Sequence, residues 1–263
     1  PPAYVKPYVK RQKNDAADAE AICEAVTRPN MHFVAIKSVD QQAAMMLHRV
    51  RDLLVRQRTM LINALRAHMA ELGIIAPQRP QNVLGLIQQL EEDSNGGITE
   101  VARSALLSLA DQLTSLTQEI RALDRKILEW HRSSETSQRL ATIPGVGVLT
   151  ATAMAASVTD PSLFRSGRQF AAFLGLVPRQ NSSGGKERLG RITKMGDGYL
   201  RKLLVVGATA ILRRVADTQT RTANWIRSLL ERKAPRLVSV AMANKTARIV
   251  WALLARGGTY RAA

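Results

Sequence analysis

An uninterrupted apolar repeat in the middle of the chain limits the possible folds more than any other feature of the sequence. Its members recur in alternating steps of three and four residues: Leu106, Leu109, Leu113, Leu116, Ile120, Leu123, Ile127 and Trp130. This spacing places them along one face of a helix for more than three heptads, as in helices that wrap around one another. The sequence therefore predicts a long helix at residues 100–132 that buries one face against a partner helix.

A second amphipathic stretch can supply that partner within the same chain. Its apolar residues are Ala43, Leu47, Val50, Leu54, Leu61, Leu65 and Leu72. Gly73 and Pro77 should end this helix. Residues 40–72 and 100–132 can therefore form an antiparallel hairpin, or the repeat can pair two copies of the chain as a coiled coil. Both readings stay open, because two hairpins can also pair with each other.

The rest of the sequence also predicts helices. Residues 1–13 contain three prolines and predict an extended connector, and a helix begins at Asn14. Three further helices are expected near the C-terminus, and strand signals are nearly absent apart from a small hairpin at Val177–Ile192. The expected fold class is therefore mainly α, with a coiled-coil hairpin and a compact helical domain.

Positive charge is concentrated in the last third of the chain. The net charge is +17, and residues 141–263 hold 20 Lys and Arg against five Asp and Glu. A contiguous basic region indicates a polyanion-binding face, with nucleic acid the first candidate and an anionic membrane surface the second. The longest apolar run, Leu203–Leu212, is about half of the ~20 residues a membrane span needs. With a single cysteine, Cys23, a reducing cytoplasmic compartment and no membrane partner are expected.

A glycine turn begins this basic region. Gly145 and Gly147 lie between two apolar helical segments in "LATIPGVGVLTATAMAASV". Such an arrangement can present backbone N–H groups to a phosphate, as helix-hairpin-helix DNA-binding units do. A simple corner between two helices also uses glycine, so the motif alone permits both interpretations.

The stretch "VPRQNSSGGKERLGRITK" combines two serines, two glycines and many cations. A phosphate-binding P-loop is excluded because Glu187 follows the Gly-Lys pair. One interpretation is a mobile basic loop. The other is a nucleophile, Ser183 or Ser182, held on a glycine turn among cations that clamp a phosphodiester. The candidate cations are Lys186, Arg188, Arg191, Lys194 and Arg201.

Two carboxylates form a further candidate site. Asp15 and Asp18 are three residues apart, so a helix places them on one face. Ordinary helix capping accounts for this pattern. The alternative is half of a Mg²⁺ site, since carboxylate oxygens are preferred ligands of Mg²⁺.

Taken in order, several segments make the chain resemble the transposases of bridge-RNA-guided insertion sequences, which are related to pilin-inversion recombinases. They are "KNDAADAEAICEA", the amphipathic middle, "IPGVGVLTATAMAA" and "RQFAAFLGLVPRQNSSGGKERLGRITKMGDGYLRKLL". The resemblance covers nearly the whole chain. It implies that residues 1–38 end a RuvC-like domain, that 39–135 form a coiled coil, and that 136–263 form a transposase domain with a helix-hairpin-helix-like element.

The resemblance also implies roles for single residues. In that family an Asp-Glu-Asp-Asp tetrad binds Mg²⁺, and its last two members fall on Asp15 and Asp18. The nucleophilic serine falls on Ser183, with Ser182 second. The first two members of the tetrad have no counterpart in this chain. We therefore expect a family member without most of its RuvC-like domain, with an incomplete Mg²⁺ site and no cleavage activity of its own.

Two functions of different classes follow. The first is a recombinase that cuts and rejoins DNA through a serine, guided by a structured RNA and acting as a homo-oligomer. The second is a truncated, non-catalytic protein that binds nucleic acid and oligomerises. A purely structural helical protein leaves the basic last third unexplained. The expected nucleic-acid contacts are Gly145, Gly147, Lys186, Arg188, Arg191, Lys194 and Arg201.

Overall fold

The computed structural model describes residues 2–10, 14–31, 33–75, 77, 82–92 and 98–261, and this part of the chain is mainly helical, as predicted. Its α-helices are α1 (Pro2–Val5), α2 (Asp15–Val26), α3 (Val39–Glu71), α4 (Asn82–Glu92), α5 (Glu100–Ser133), α6 (Glu135–Ala141), α7 (Val148–Ser157), α8 (Gly167–Phe173), α9 (Gly198–Arg213), α10 (Arg221–Leu230) and α11 (Pro235–Arg256). Short 3₁₀ turns lie at Lys6–Tyr8 and Pro161–Leu163. Strands β1 (Pro178–Gln180) and β2 (Leu189–Ile192) pair with each other.

The chain divides into two compact units. Residues 39–138 form the hairpin unit, and residues 1–38 together with 139–263 form the basic unit. The sequence places most of the positive charge in the basic unit. The assignment of residues 1–38 to the end of a RuvC-like domain stays a prediction.

Polar pairs fix the direction of the two long helices in the hairpin unit. The indole N–H of Trp130, near the end of α5, donates to Oδ2 of Asp40 at the start of α3, over 3.0 Å. Further along, the Arg51 guanidinium pairs with the Asp124 carboxylate. The pairing of early α3 residues with late α5 residues makes the helices antiparallel, which confirms the predicted hairpin within one chain.

A shared apolar cluster joins α4 to the other end of this hairpin. Its buried members are Leu65, Met69, Val83, Leu86, Leu90, Ile98, Leu106 and Leu113. These residues come from α3, α4, α5 and the segment before α5, so removing them from water couples all of these segments. The sequence "DSNGG" at 93–97 predicts a loop before α5, and these residues lie outside the described part of the chain.

The apolar repeat of α5 is buried at every seventh residue. The buried members are Leu106, Leu113, Ile120 and Ile127. The half-buried members are Leu109, Leu116, Leu123 and Trp130. The four buried residues therefore face α3, and the four half-buried residues lie at the margin of this helix contact.

The buried face of α3 differs from the one that we predicted. Of the seven predicted residues, Leu65 is buried, whereas Ala43, Val50 and Leu72 are exposed. The buried side chains are Ala44, Met45, His48, Leu65 and Met69. Leu47, Leu54 and Leu61 are half-buried, so the prediction was wrong only in part. It chose mainly leucines by their spacing and therefore passed over Ala44, Met45, Met69 and the polar His48.

The buried His48 and the half-buried Arg51 follow the heptad spacing of the real face. Burial, together with the nearby Arg51 charge, lowers the pKa of His48 to about 4. The imidazole is therefore neutral at neutral pH and can occupy a core position. Arg51 is accommodated because it pairs with Asp124 across the hairpin.

The N-terminal residues correct a second prediction. We expected an extended connector, but Pro2–Val5 is helical and Lys6–Tyr8 is a 3₁₀ turn. Proline is compatible with the first turn of a helix because its missing N–H would have no partner there. The Arg28 guanidinium lies 5.5 Å from the Tyr8 ring and helps to hold this turn against α2.

Helix α11 forms the centre of the basic unit. Its buried residues are Val238, Ser239, Met242, Ala243, Thr246, Ala247 and Val250. It packs against α8, α9 and α10. By length and composition α11 could cross a membrane, but its buried face packs as the core helix of a folded unit.

Two glycines bring the predicted glycine turn into close contact with α9. A Cβ atom added to Gly207 would lie 2.0 Å from the carbonyl oxygen of Gly145. A Cβ atom on Gly145 would lie 2.7 Å from Cδ1 of Ile211, and φ at Gly145 is +78°. Gly145 and Gly207 are therefore required for packing, since a methyl group at either position forces the turn away from α9.

We expect Gly207→Ala to destabilise the chain by about 3 kcal/mol or more, because the clash is with backbone. The melting temperature, followed by circular dichroism, should fall by roughly 6–12 °C. Gly147→Ala is the matched control. Its added Cβ meets nothing within 4 Å, so the loss should stay below about 1 kcal/mol. Equal melting temperatures for the two variants would show that the Gly145–Gly207 contact is absent in solution.

Candidate nucleic-acid interface

A short exposed β-hairpin carries the serines and most of the candidate cations. Pro178 pairs with Ile192 and Gln180 pairs with Leu189 in antiparallel register. The tip is a tight turn in which the Lys186 N–H donates to the Ser183 carbonyl over 3.1 Å. Gly184 and Gly185 have φ of +56° and +76°, which suits two consecutive glycines in a hairpin turn. The predicted hairpin is therefore present, and we call residues 178–192 the serine hairpin.

The two serines differ in what their side chains do. The Ser182 Oγ accepts a hydrogen bond from the Arg188 N–H at 3.2 Å. This bond ties Ser182 into the serine hairpin. The Ser183 hydroxyl is exposed and makes no hydrogen bond to the residues that the structure describes. Both serines are exposed, and Ser183 is the one whose hydroxyl has no hydrogen-bond partner among the described residues.

The base of the serine hairpin is held by two glycines in a close crossing of chain segments. A Cβ atom on Gly196 would lie 1.9 Å from the Phe173 carbonyl oxygen, and one on Gly175 would lie 2.1 Å from that of Met195. Both glycines have positive φ, +70° at Gly175 and +85° at Gly196. The glycines of "FLGLVP" and "KMGDG" thus serve to anchor the exposed hairpin to the core.

Polar side chains reinforce this anchor. The Arg201 Nη1 donates to the carbonyls of Leu174, at 3.0 Å, and Met195, at 3.3 Å. The Asp197 carboxylate caps α9 by accepting from the Tyr199 and Leu200 N–H groups at 2.7 and 3.1 Å. These bonds give Arg201 a structural role, and its contact with nucleic acid stays a prediction.

The other predicted cations are exposed. Lys186, Arg188 and Arg191 lie on the serine hairpin, and Lys194 follows it with φ of +56°. Within the described ranges, none of these four makes an ion pair with a carboxylate. Their charge is therefore available to a polyanion next to Ser183.

The glycine turn also leaves a helix end uncapped. Gly147 is the N-cap of α7, and no side chain caps this helix. The first-turn N–H groups of a helix need acceptors, and the N-terminal end of the helix dipole favours an anion. The geometry suits phosphate binding at Gly147, whereas Gly145 is occupied by its packing against α9.

Asp15 and Asp18 lie exposed in the first turn of α2. The cap itself is Asn14, whose Oδ1 accepts from the Ala17 N–H over 2.7 Å. The two aspartates follow it in the first turn, where the helix dipole favours negative charge, so an ordinary helix start also accounts for them. Among the described residues, no group of three or more His, Cys, Asp or Glu side chains is placed to hold a metal ion. Two carboxylates on one helix turn therefore do not make a complete Mg²⁺ site.

A cleft beside the serine hairpin was missed by the sequence analysis. It contains Trp225 of α10 and Lys245 and Arg248 of α11, together with Arg191 of β2. These residues lie in separate segments with no recognisable spacing. The excess of cations over acids in α10 and α11 was the available signal, but it did not show which residues meet.

Two family models match the chain. A model of IS110-type DEDD transposases matches residues 2–74, and the model of the transposase IS116/IS110/IS902 family matches residues 137–223. The second match includes the glycine turn and the serine hairpin, and it ends at Ala223, two residues before Trp225.

Relatives extend the similarity over the full chain. The chain is 47% identical over all 263 residues to the transposase candidate y4pF/y4sB of Sinorhizobium fredii, and it spans 67% of that protein. It is 41% identical over 260 residues to the transposase for insertion sequence element IS1111A of Coxiella burnetii, spanning 71% of it. It is 40% identical over 259 residues to the transposase for element IS1328 of Yersinia enterocolitica, spanning 77% of it.

Proposed function

The chain belongs to the IS116/IS110/IS902 family of insertion-sequence transposases, and we propose that Ser183 is the nucleophile with which it cuts and rejoins DNA. The observation that carries this proposal is the difference between the two serines. Both serines are exposed, but the Ser182 hydroxyl accepts a hydrogen bond from the Arg188 N–H, whereas the Ser183 hydroxyl makes none to the described residues. A nucleophile must reach the phosphorus, and Ser183 is the member of the pair that can do so without giving up a hydrogen bond of the hairpin.

In the proposed step the Ser183 Oγ attacks a DNA phosphorus. An Oγ–P bond forms and the P–O bond to one strand end breaks, so that the strand stays attached as a phosphoserine. The serine proton passes to a base or to water, and the released strand oxygen takes up a proton. Lys186, Arg188 and Arg191 neutralise the charge that gathers on the phosphate oxygens during this exchange. Attack by a second strand end reverses the step and rejoins the DNA.

We propose Asp15 and Asp18 as two ligands of a Mg²⁺ site, which would supply charge neutralisation and activation of the serine when complete. Their exposure on one helix turn supports this. The remaining ligands must come from outside the described residues, and we assign no step of this chain's chemistry to the ion. Choice of the DNA site by a structured guide RNA belongs to the same proposal, on the strength of the family resemblance.

The serine hairpin and the start of α7 form the proposed DNA-binding face. We expect the affinity of the whole chain for duplex DNA to fall about 10³-fold between 50 and 200 mM salt if ~6 phosphates are contacted. Fluorescence anisotropy of a labelled duplex measures this. Neutralising Lys186, Arg188 and Arg191 together as glutamines should reduce the slope of log affinity against log salt by about 3.

A matched control removes the same charge elsewhere. Arg121, Arg125 and Lys126 are exposed on α5 in the hairpin unit, and their replacement by glutamine should leave the slope for duplex DNA within about 1 of the original. Equal effects of the two triple variants would show that net charge, rather than the serine hairpin, binds DNA.

An apolar stripe on the outside of α3 supports the proposed homo-oligomer. Met46, Val50, Leu53 and Met60 are 65%, 40%, 46% and 69% exposed. Their steps of four, three and seven residues continue the heptad spacing on a second face of the helix. We propose that this stripe pairs with the same stripe of a second copy, so that two hairpins associate as a coiled coil.

The basic face also fits the second candidate, a protein that binds nucleic acid and oligomerises without cutting it. The exposed and unpaired cations of the serine hairpin support both candidates equally. A phosphoserine link to DNA separates them, because only the recombinase forms one.

A further inference from the structure

A cleft of about 720 Å³ opens at the base of the serine hairpin. One side is formed by Pro178, Gly190, Arg191 and Ile192 of the hairpin strands, and the other side by α10 and α11. Leu176, Leu237, Val240 and Ile249 make much of the wall apolar. The volume is in the range of sites that enclose small organic molecules.

Trp225 and Lys245 lie together in this cleft. The Lys245 ammonium is 4.6 Å from the centre of the Trp225 ring and 3.4 Å from the Thr222 hydroxyl. Trp225 is half-buried, and in the described part of the chain its indole N–H has no hydrogen-bond partner. The cleft therefore offers an aromatic surface, a free N–H donor and a cation within one small space.

Positive charge in the cleft is not balanced by the protein. Arg191, Lys245 and Arg248 line it, and the lining contains no Asp or Glu. Burial, and then the charges of Arg221 and Arg248, lower the pKa of Lys245. Across the described residues, none of these cations has a carboxylate partner in an ion pair. A bound anion would remove this repulsion, and phosphate is the anion that arginine and lysine together suit best.

We propose that this cleft binds one unstacked nucleotide of a single-stranded nucleic acid, with its base against Trp225 and its phosphate against Lys245 and Arg248. Aromatic side chains and apolar walls receive extruded or single-stranded bases by stacking, and neighbouring cations hold the backbone. Duplex DNA cannot place a base there without unpairing it. The inference rests on the proposed nucleic-acid binding and adds a site for a separated strand.

The position of the cleft links it to the serine. Pro178 lines the cleft, and Ser183 is five residues further along the same hairpin, which is at most ~18 Å of extended chain. A strand whose phosphate lies at Ser183 can therefore reach the cleft. Holding one base there would keep the strands apart next to the bond that is cut.

The test compares single-stranded and duplex binding by the whole chain. Trp225→Leu should weaken the affinity for a 12-nucleotide single-stranded DNA roughly 5- to 100-fold, since stacking of one base is lost. Trp225→Phe retains an aromatic ring and should stay within about 3-fold of the original. Lys245→Met should weaken single-stranded binding and lower its salt slope by about 0.7. Affinity for the same sequence as a duplex should change less than 2-fold in each variant.

Direct contact is measured by photocrosslinking. Single-stranded DNA and RNA carrying 5-iodouracil should crosslink to Trp225, as located by mass spectrometry, and the ratio of DNA to RNA product identifies the strand that the cleft prefers. Crosslinks confined to other peptides, or equal single-strand affinity of Trp225→Leu and the original, would overturn the inference. An acidic peptide without phosphate groups that competes as efficiently as DNA would also overturn the inference. If the original chain binds no nucleic acid of any kind, the proposed function fails instead.

Discussion

In a chimera in which this chain replaces the matching part of the Sinorhizobium relative, replacing Ser183 by alanine should abolish DNA cleavage, with a rate loss of at least about 10⁴-fold, because no other group then forms the bond to phosphorus. Duplex affinity should stay within about 2-fold, since Ser183 carries no charge. Cleavage is measured with a labelled duplex that contains the end of the element, in the presence of Mg²⁺ and the RNA transcribed from the element. The attached strand is detected as a covalent protein–DNA product on a denaturing gel.

Ser182→Ala is the matched control for this experiment. Loss of the Ser182 hydroxyl removes the acceptor of a single hydrogen bond from the Arg188 N–H, which is worth about 1 kcal/mol of hairpin stability. The substitution should therefore reduce the cleavage rate less than about 10-fold. Both variants are compared in the chimera, because this chain spans 67% of the Sinorhizobium relative. The 263-residue chain by itself should not cleave, since Asp15 and Asp18 supply only part of a Mg²⁺ site. A chimera that cleaves with alanine at 183 but not at 182 would refute the assignment.

Replacing Leu113 and Ile120 by aspartate should unfold the hairpin unit. Both side chains are buried in the contact of α5 with α3, and an unpaired buried charge costs about 3–5 kcal/mol. The cost of two such charges is as large as the whole free energy of unfolding of many domains. Circular dichroism should show a large loss of helix, and the remaining transition should report the basic unit alone. An unchanged melting curve would mean that this face is not buried in solution.

The outer stripe of α3 provides the contrasting variant. Met46→Glu with Met60→Glu changes residues that are 65% and 69% exposed, so the helix content should stay the same. If two copies pair through this stripe, light scattering should show half the mass of the original chain. Retention of the original mass with intact helix would contradict the proposed pairing surface while leaving the hairpin within each chain unaffected.

Helix positions were predictable because their signals are local. The α5 repeat predicted residues 100–132, and the helix spans Glu100–Ser133. Asn14 was predicted to start a helix, and its side chain caps α2. The prediction failed where polar residues occupy core positions, as with His48 and Arg51. Arg51 pairs with Asp124, which is more than 70 residues away, and no local pattern shows that such a pair will form.

The candidate site was also only partly predictable. The sequence singled out both serines and the cations around them, because glycine pairs and charge density are visible in the letters. It did not show that the Arg188 N–H binds Ser182 and leaves Ser183 free. It also could not show that Arg201 would hold two carbonyls of the hairpin base.

The sequence by itself determined a mainly helical chain, a long helical hairpin, a basic last third and membership of a transposase family. Those properties depend on periodicity, composition and motif order, which are visible in residues that lie close together in the sequence. Tertiary structure alone decided which serine is available, which glycines are needed for packing and that Trp225 meets Lys245 in a cleft. Each of these depends on contacts between segments far apart in the chain, and such contacts form only when the units pack to high density around their cores.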